Sequence, residues 1–277
     1  MKRPTRRSHE TDGPYAGLMS ERGAVSLGIA ASVGPELAGL LAPAVEAAGF
    51  HALWVNDTPG ADAFPVLDAA ARATSRLVLA TGVLPVDRRP AATILGEVQA
   101  GQLPQERLVL GVGSGQTTVG ALDRVGAAVS ELRDALSARI VVGALGPKMR
   151  RLAVEKSDGV LLSWLTPAIA RAQAEEARAV APRTHVALYV RTALDSDAHA
   201  RLQVETARYA AVPAYAANFA RQGVDPDRTV WDAATEPGPD RLADYRTGVD
   251  EVILRAITAE DTLDAYLRFV EQARELL

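Results

Sequence analysis

Short apolar runs alternate with longer stretches of helical period along nearly the whole chain. Eight runs stand out, at 25–30, 53–56, 77–81, 108–112, 140–144, 159–162, 186–190 and 251–254, and each is short enough and apolar enough for a buried strand. Between them the period becomes helical. Leu37, Leu40, Leu41, Ala44, Val45 and Ala48 fall at i, i+3, i+4, i+7, i+8 and i+11, which makes one apolar stripe along a helix. Leu263, Tyr266, Leu267 and Val270 repeat that pattern near the C-terminus. Proline is tolerated at a first helical position because its missing N–H would have had no partner there, so Pro35, Pro90, Pro147 and Pro167 mark helix starts. Thr166 and Thr258 add N-cap hydroxyls.

Strands alternating with helices describe a parallel sheet with crossover helices. Eight of them in about 250 residues predict an α/β chain of the (β/α)₈ TIM-barrel kind. An open doubly wound sheet is the structural rival. One domain covers residues 23–277, and residues 1–22 are expected to form a flexible N-terminal tail. Two connections are irregular. The one after the fourth strand, 115–138, is short, and a long excursion at 209–245 precedes the last strand and needs a helix of its own, predicted over 212–221.

Composition narrows the class. The 277 residues carry a net charge of -4, so no basic field draws in nucleic acid or anionic lipid. Cysteine is absent, which removes disulfides, thiolate metal ligation and a cysteine nucleophile, and agrees with a cytoplasmic setting. No apolar stretch reaches the roughly 18 to 20 residues that span a bilayer, and the N-terminus lacks the apolar core of a secretory signal.

In a barrel of this kind the residues just after each strand line one mouth, where chemistry sits. Here they are Ala31 to Val33, Asp57 and Thr58, Gly82 to Pro85, Gly113 to Gln116, Leu145 to Pro147, Ser163 and Trp164, Arg191, and Arg255. Asp57 is the sole carboxylate among them and no histidine joins it, so neither a histidine–carboxylate metal site nor a Ser-His-Asp triad is expected. The cluster Gly111, Gly113 and Gly115 has Gln116 where a dinucleotide-binding turn needs its third glycine. The turn from Gly143 to Pro147 opens a helix whose free N–H groups, with Lys148 in the first turn, suit a phosphate; a plain tight corner is the other reading.

Three segments together, 81–92, 108–115 and 143–148 followed by 157–160, resemble the bacterial luciferase-like superfamily, and within it the coenzyme F420-dependent oxidoreductases. The likeness runs from about Val25 to Leu277. It implies a (β/α)₈ barrel, a small organic substrate, and a homodimer. It also implies a deazaflavin, coenzyme F420, or alternatively FMN, held across the mouth. On this likeness Gly82 and Val83 back the ring, joined by a non-proline cis peptide bond, and Asp57 lies against it, although Asp57 also reads as a helix N-cap or turn residue. Gly113, Ser114, Ala144, Leu145, Gly146, Lys148 and Arg255 are the remaining expected cofactor contacts, with Arg191 as a second candidate for the phosphate.

The departures from the family bear on the reaction. Thr58 stands where the alcohol-oxidising members carry a histidine base, and Gln116 where they carry a glutamate acid. Neither side chain exchanges a proton near neutral pH. Hydride transfer to an activated C=C or C=N bond therefore fits better than alcohol oxidation. An FMN-dependent monooxygenase and a non-catalytic ligand-binding relative are the alternatives.

Overall fold

A computed structural model describes residues 23–236 and 238–277. The tail expected at 1–22 lies outside the described residues. The strands are β1 Ala24–Ala30, β2 Ala52–Asn56, β3 Val78–Pro85, β4 Leu108–Gly113, β5 Arg139–Gly143, β6 Gly159–Ser163, β7 His185–Ala193, β8 Trp231–Asp232 and β9 Glu251–Ala256. All pair in parallel. β1 through β7 and β9 close a ring of eight through the β6–β7, β7–β9 and β1–β9 pairings, so the barrel is confirmed over the open sheet. β8 is a two-residue addition beside Thr192 and Ala193 at the end of β7. It is too short to leave a periodic signal in the sequence.

The helices are α1 Gly34–Ala47, α2 Ala63–Ala73, α3 Ala91–Ala100, α4 Ala121–Ala135, α5 Pro147–Lys156, α6 Pro167–Val180, α7 His199–Ala210, α8 Pro213–Gln222, α9 Asp240–Arg246 and α10 Leu263–Arg274. Pro147 and Pro167 are first helical residues and Pro35 follows Gly34 at the start of α1, whereas Pro90 sits one position before α3. Thr166 caps α6 by accepting the N–H of Ile169 at 3.4 Å. Thr258 caps nothing: its hydroxyl donates to the carbonyl of Glu260 at 2.8 Å, and turns carry the chain on to Thr262, which caps α10 through the N–H of Ala265. The helix expected at 212–221 is α8, and α7, β8 and α9 share the long excursion with it.

Strand residues alternate between two apolar layers, as the pleat requires. Ala52, Trp54, Ala80, Val109, Val141, Leu161, Ala187, Tyr189 and Ile253 fill the barrel, while Leu27, Leu53, Leu79, Leu110, Val142, Leu162, Leu188 and Leu254 face the helices. Toward the N-terminal end the interior turns polar. There Glu251 accepts from Ser26 Oγ at 2.5 Å and Trp54 Nε1 at 2.6 Å and pairs with His185 Nε2 at 3.0 Å. Burial alone would raise this carboxyl, but the hydrogen bond and charge of His185, the charge of His51 and the Ser26 hydroxyl outweigh it and hold it down to about 2. Among the described residues no helix is long and apolar enough to cross a membrane.

Candidate active site at the C-terminal mouth

Alternation decides which residue of each strand end reaches the mouth. The last inward positions are Ala30, Asn56, Gly82, Gly113, Gly143, Ser163, Arg191 and Arg255, so three adjacent strands, β3 to β5, end on glycine. β3 bulges between Gly82 and Leu84, and the Gly82–Val83 bond is cis, as the family likeness implies. The bulge turns the Val83 side chain inward across its neighbours. A Cβ on Gly113 or on Gly143 would lie 2.7 Å from a Val83 methyl, closer than packed carbons come. Glycine at both positions therefore seats Val83, and the result is an apolar ledge. Gly82, Val83 and Gly143 are each half-buried, so the ledge faces open space.

Asn56 holds the near edge of this ledge. Its side-chain N–H donates to the Gly82 carbonyl, and its Oδ1 accepts from the Tyr189 hydroxyl at 2.9 Å. Burial pushes the Tyr189 phenol well above its usual range, and the nearby charge of Arg255 offsets only part of that.

Asp57 is placed differently from the expectation of a carboxylate lying against a ring. One step past the inward Asn56, it turns toward the loops. Its oxygens meet Arg88 at 3.0 Å and Arg89 at 3.1 Å and accept the N–H of Ala63 at 3.2 Å, and its side chain is fully buried. Arg89 also pairs with Asp62 at 2.9 Å, the residue that caps α2. These contacts pin the β2–α2 and β3–α3 loops together. Thr58 is half-buried and forms a backbone bridge with Ala61 within the same loop.

Gln116 is exposed in the β4–α4 loop, and its backbone N–H donates to Asp87 at 2.9 Å. Asp87 also accepts from the N–H of Thr117 at 3.2 Å. Burial raises the Asp87 carboxyl, but these backbone donors outweigh it and leave it lowered. Gly115 makes the contact possible: its φ is +68°, and a Cβ there would sit 1.8 Å from Asp87 Oδ1. Ser114, half-buried, lies between this loop and the ledge.

The β5–α5 corner keeps the features that suit a phosphate. Gly146 caps α5 in extended conformation, Ala144 is buried beside it, Leu145 is half-buried, and Lys148 is exposed in the first turn. The Leu145 carbonyl accepts from Arg150 at 3.3 Å and from Arg221 of α8 at 3.1 Å, so three cations gather at this helix start. Sequence spacing gave no hint of Arg221, because α8 lies more than seventy residues away.

The β6–β7 side of the mouth is filled. Trp164, with a left-handed φ of +59°, packs against Tyr209, Tyr215 and Phe219 of α7 and α8. Arg191 lies 4.2 Å from the Trp164 ring centroid and 4.8 Å from that of Tyr209, and donates to Ser163 Oγ at 2.5 Å. It is buried among these side chains, whereas Arg255 is half-buried and donates to the carbonyl of Ala256. A further pair joins the same rim: His199, first residue of α7, bonds through Nδ1 to Asp232 of β8. Helix periodicity hid this pair, since its members are separated by 33 residues.

Residues 28–135 match the family model described as luciferase-like monooxygenase. No curated protein matches the sequence. Among solved structures, an F420-dependent secondary alcohol dehydrogenase, determined with an F420–acetone adduct, is 15% identical over 92% of this chain and 98% of its own, with a TM-score of 0.68. A coenzyme F420-dependent tetrahydromethanopterin reductase from Methanopyrus kandleri is 14% identical over 92% and 98%, with a TM-score of 0.67. The oxygenating component of 3,6-diketocamphane monooxygenase from Pseudomonas putida, in complex with FMN, is 12% identical over 91% and 97%, with a TM-score of 0.62. Residues 28–135, which contain the first two of the three sequence motifs, are thus similar in sequence to the luciferase-like monooxygenase model, and the chain shares its barrel fold with these enzymes.

Proposed function

We propose that the protein is a coenzyme F420-dependent oxidoreductase that passes a hydride between the deazaflavin and a small organic substrate other than an alcohol. The ledge of Val83 on Gly113 and Gly143 carries this reading, because an apolar, half-open shelf made by one side chain over glycine backbone leaves room for a planar ring. Gly82 and Val83 would back the ring, with Gly113 and Ser114 beside it. Ala144, Leu145, Gly146 and Lys148 would hold the phosphate at the start of α5, where helix N–H groups and cations converge. Of the two cations at the ends of the last strands, Arg255, which is half-buried, would serve the cofactor, since Arg191 is enclosed by aromatic rings. The bound deazaflavin supplies the hydride-carrying carbon, and the protein positions the acceptor. Thr58 and Gln116 provide no base or acid near neutral pH, which favours reduction of an activated C=C or C=N bond. A cytoplasmic homodimer accompanies this reading through the family likeness alone.

A second reading, a ligand-binding relative without catalysis, is favoured by the aromatic cluster around Trp164, which occupies one side of the mouth. Fluorescence-quenching titrations with F420 and with FMN separate the possibilities. Micromolar binding of F420 without FMN is the expected result. Binding of FMN alone assigns a flavin monooxygenase, and binding of neither assigns the non-catalytic relative.

A further inference from the structure

We propose that Asn218 and Arg221 of α8 make binding at the mouth depend on a phosphate: with the start of α5 they hold the phosphate of the ring-bearing molecule and select it over the same ring without one. The proposal rests on the reading of the mouth as a ring-binding site. It adds two residues of the long excursion, which lies outside the three motif segments. The ledge and the β5–α5 corner are continuous in the chain. Gly143, which seats Val83, is followed by Ala144, Leu145 and Gly146, and α5 opens at Pro147. No side chain caps this helix. The bond from the Arg150 N–H to the Gly146 carbonyl is its first, so the N–H groups of Lys148 and Met149 come before it. A Cβ on Gly146 would meet nothing within 4 Å, so the space beside it is open.

The side chains of α8 reach the same corner. Nη2 of Arg221 donates to the Leu145 carbonyl at 3.1 Å and to Asn218 Oδ1 at 2.5 Å, so one nitrogen ties the Asn218 amide to the residue before Gly146. Asn218 is 1% exposed and adjoins Phe219, which packs edge-on to Trp164. Because Arg221 can only donate, the bonded end of the amide is Oδ1 and the other end is Nδ2. That nitrogen is buried and has no acceptor among the described residues. A buried donor left unpaired is destabilising, so the position calls for an acceptor that the chain does not supply. Arg221 is in a similar condition. Its Nη2 serves two uncharged oxygens, and its guanidinium pairs with no carboxylate among the described residues. Arg150 differs, being matched by Glu176 at 3.2 Å. The guanidinium of Arg221, the exposed Lys148, the uncapped N–H groups of α5 and a buried amide N–H suit a group with negative charge and several acceptor oxygens, which a phosphate is and a terminal hydroxyl is not.

Arg221→Met and Asn218→Ala test the proposal with FMN against riboflavin, which differ in the phosphate alone, and with F420 against the deazariboflavin that shares its ring but ends before the phosphate. Binding is followed by fluorescence quenching. The ratio of the two affinities is taken within each protein, so that any loss of folded protein cancels. Wild type is expected to favour the phosphorylated ligand by about a hundredfold, and each variant to lose about tenfold of that preference while binding the unphosphorylated ring as before. Variants that keep the wild-type ratio refute the part given to α8. Variants that lose both ligands of a pair equally refute it too, because α8 then acts on the ring site or on the fold. A wild-type protein that binds the ring equally with and without phosphate refutes the proposal and leaves the ring-binding mouth standing. If wild type binds none of these ligands, the mouth reading fails, and melting curves in inorganic phosphate against chloride of equal ionic strength decide the corner by themselves. A rise for wild type that Arg221→Met lacks keeps it as an oxyanion site, and no rise overturns it as well.

Discussion

Replacing Gly143 by alanine tests the ledge at its tightest point. The added Cβ would stand 2.7 Å from Val83 Cγ1, whereas carbon atoms pack at about 3.5 to 4.0 Å, so one of the two must move by about 1 Å. Gly143 has an ordinary strand conformation, which alanine adopts without strain; the whole penalty is therefore steric. Overpacking of this size costs about 2 kcal/mol. For a chain of this length that lowers the melting temperature by roughly 4 to 8 °C. The decisive comparison is the double variant Gly143→Ala with Val83→Ala, which removes the methyls the new Cβ would strike. Thermal unfolding followed by circular dichroism should show the pair to be more stable than the sum of the two single effects by about 1 kcal/mol or more. Additive single and double variants, or a Gly143→Ala protein as stable as wild type, would refute the seating of Val83 on glycine. The same cycle with Gly113→Ala probes the other methyl at the same 2.7 Å.

Glu251, held at about 2 against 4.5 for a free carboxyl, gives the fold stability that is complete above about pH 4.5 and is lost as pH falls toward 2. That shift corresponds to about 3 kcal/mol, so Glu251→Gln should melt lower at pH 7 and lose less on acidification than wild type, as read by melting curves from pH 7 to 2.5. Asp57→Ala leaves Arg88, Arg89 and the N–H of Ala63 without their shared acceptor, and should cost about 2 kcal/mol in urea unfolding, a figure kept low because Arg88 is partly exposed. Gly115→Ala faces both a left-handed backbone and Asp87 Oδ1 at 1.8 Å. The loop at 114–120 should detach from Asp87, seen as faster tryptic cleavage at Arg124 with the rest of the chain still protected.

The barrel was legible because its signal is repeated. Eight apolar runs, each about one strand long, recur at the spacing of a βα unit, and burying both faces of every strand keeps polar residues few and mostly at the strand ends. Val25, Leu53, Leu108, Ile140, Gly159, Val186 and Glu251 all fall inside the strands their runs predict, whereas Leu77 lies one residue before β3. The exceptions lie where a local rule competes with a tertiary one. Thr258 has the composition of a cap, but the chain needs four more residues to turn from β9 onto α10, so Thr262 takes that place. β8 exists only because Thr192 and Ala193 extend beyond the end of β6 and leave an edge to be paired.

The site was legible as a set of strand ends but not as a set of side-chain directions. Asn56 and Asp57 are neighbours, and composition favours the aspartate as the chemical group. The pleat decides otherwise: Ala52, Trp54 and Asn56 share the inward face of β2, so Asn56 meets the ledge and Asp57 is left to the arginines of the next loop. Counting the period of two forward from Trp54, whose bulk already marks the interior, would have separated the two. No such count finds Tyr189, Arg221 or the His199–Asp232 pair, because their partners are brought together by barrel closure and by the excursion, across 133, 76 and 33 residues. The contact that borders the ledge thus joins Asn56 of β2 to Tyr189 of β7, strands remote in sequence that only closure of the barrel brings together. A mouth assembled in that way keeps its backbone ledge under many substitutions, while the residues that choose its occupant vary from one strand end to the next.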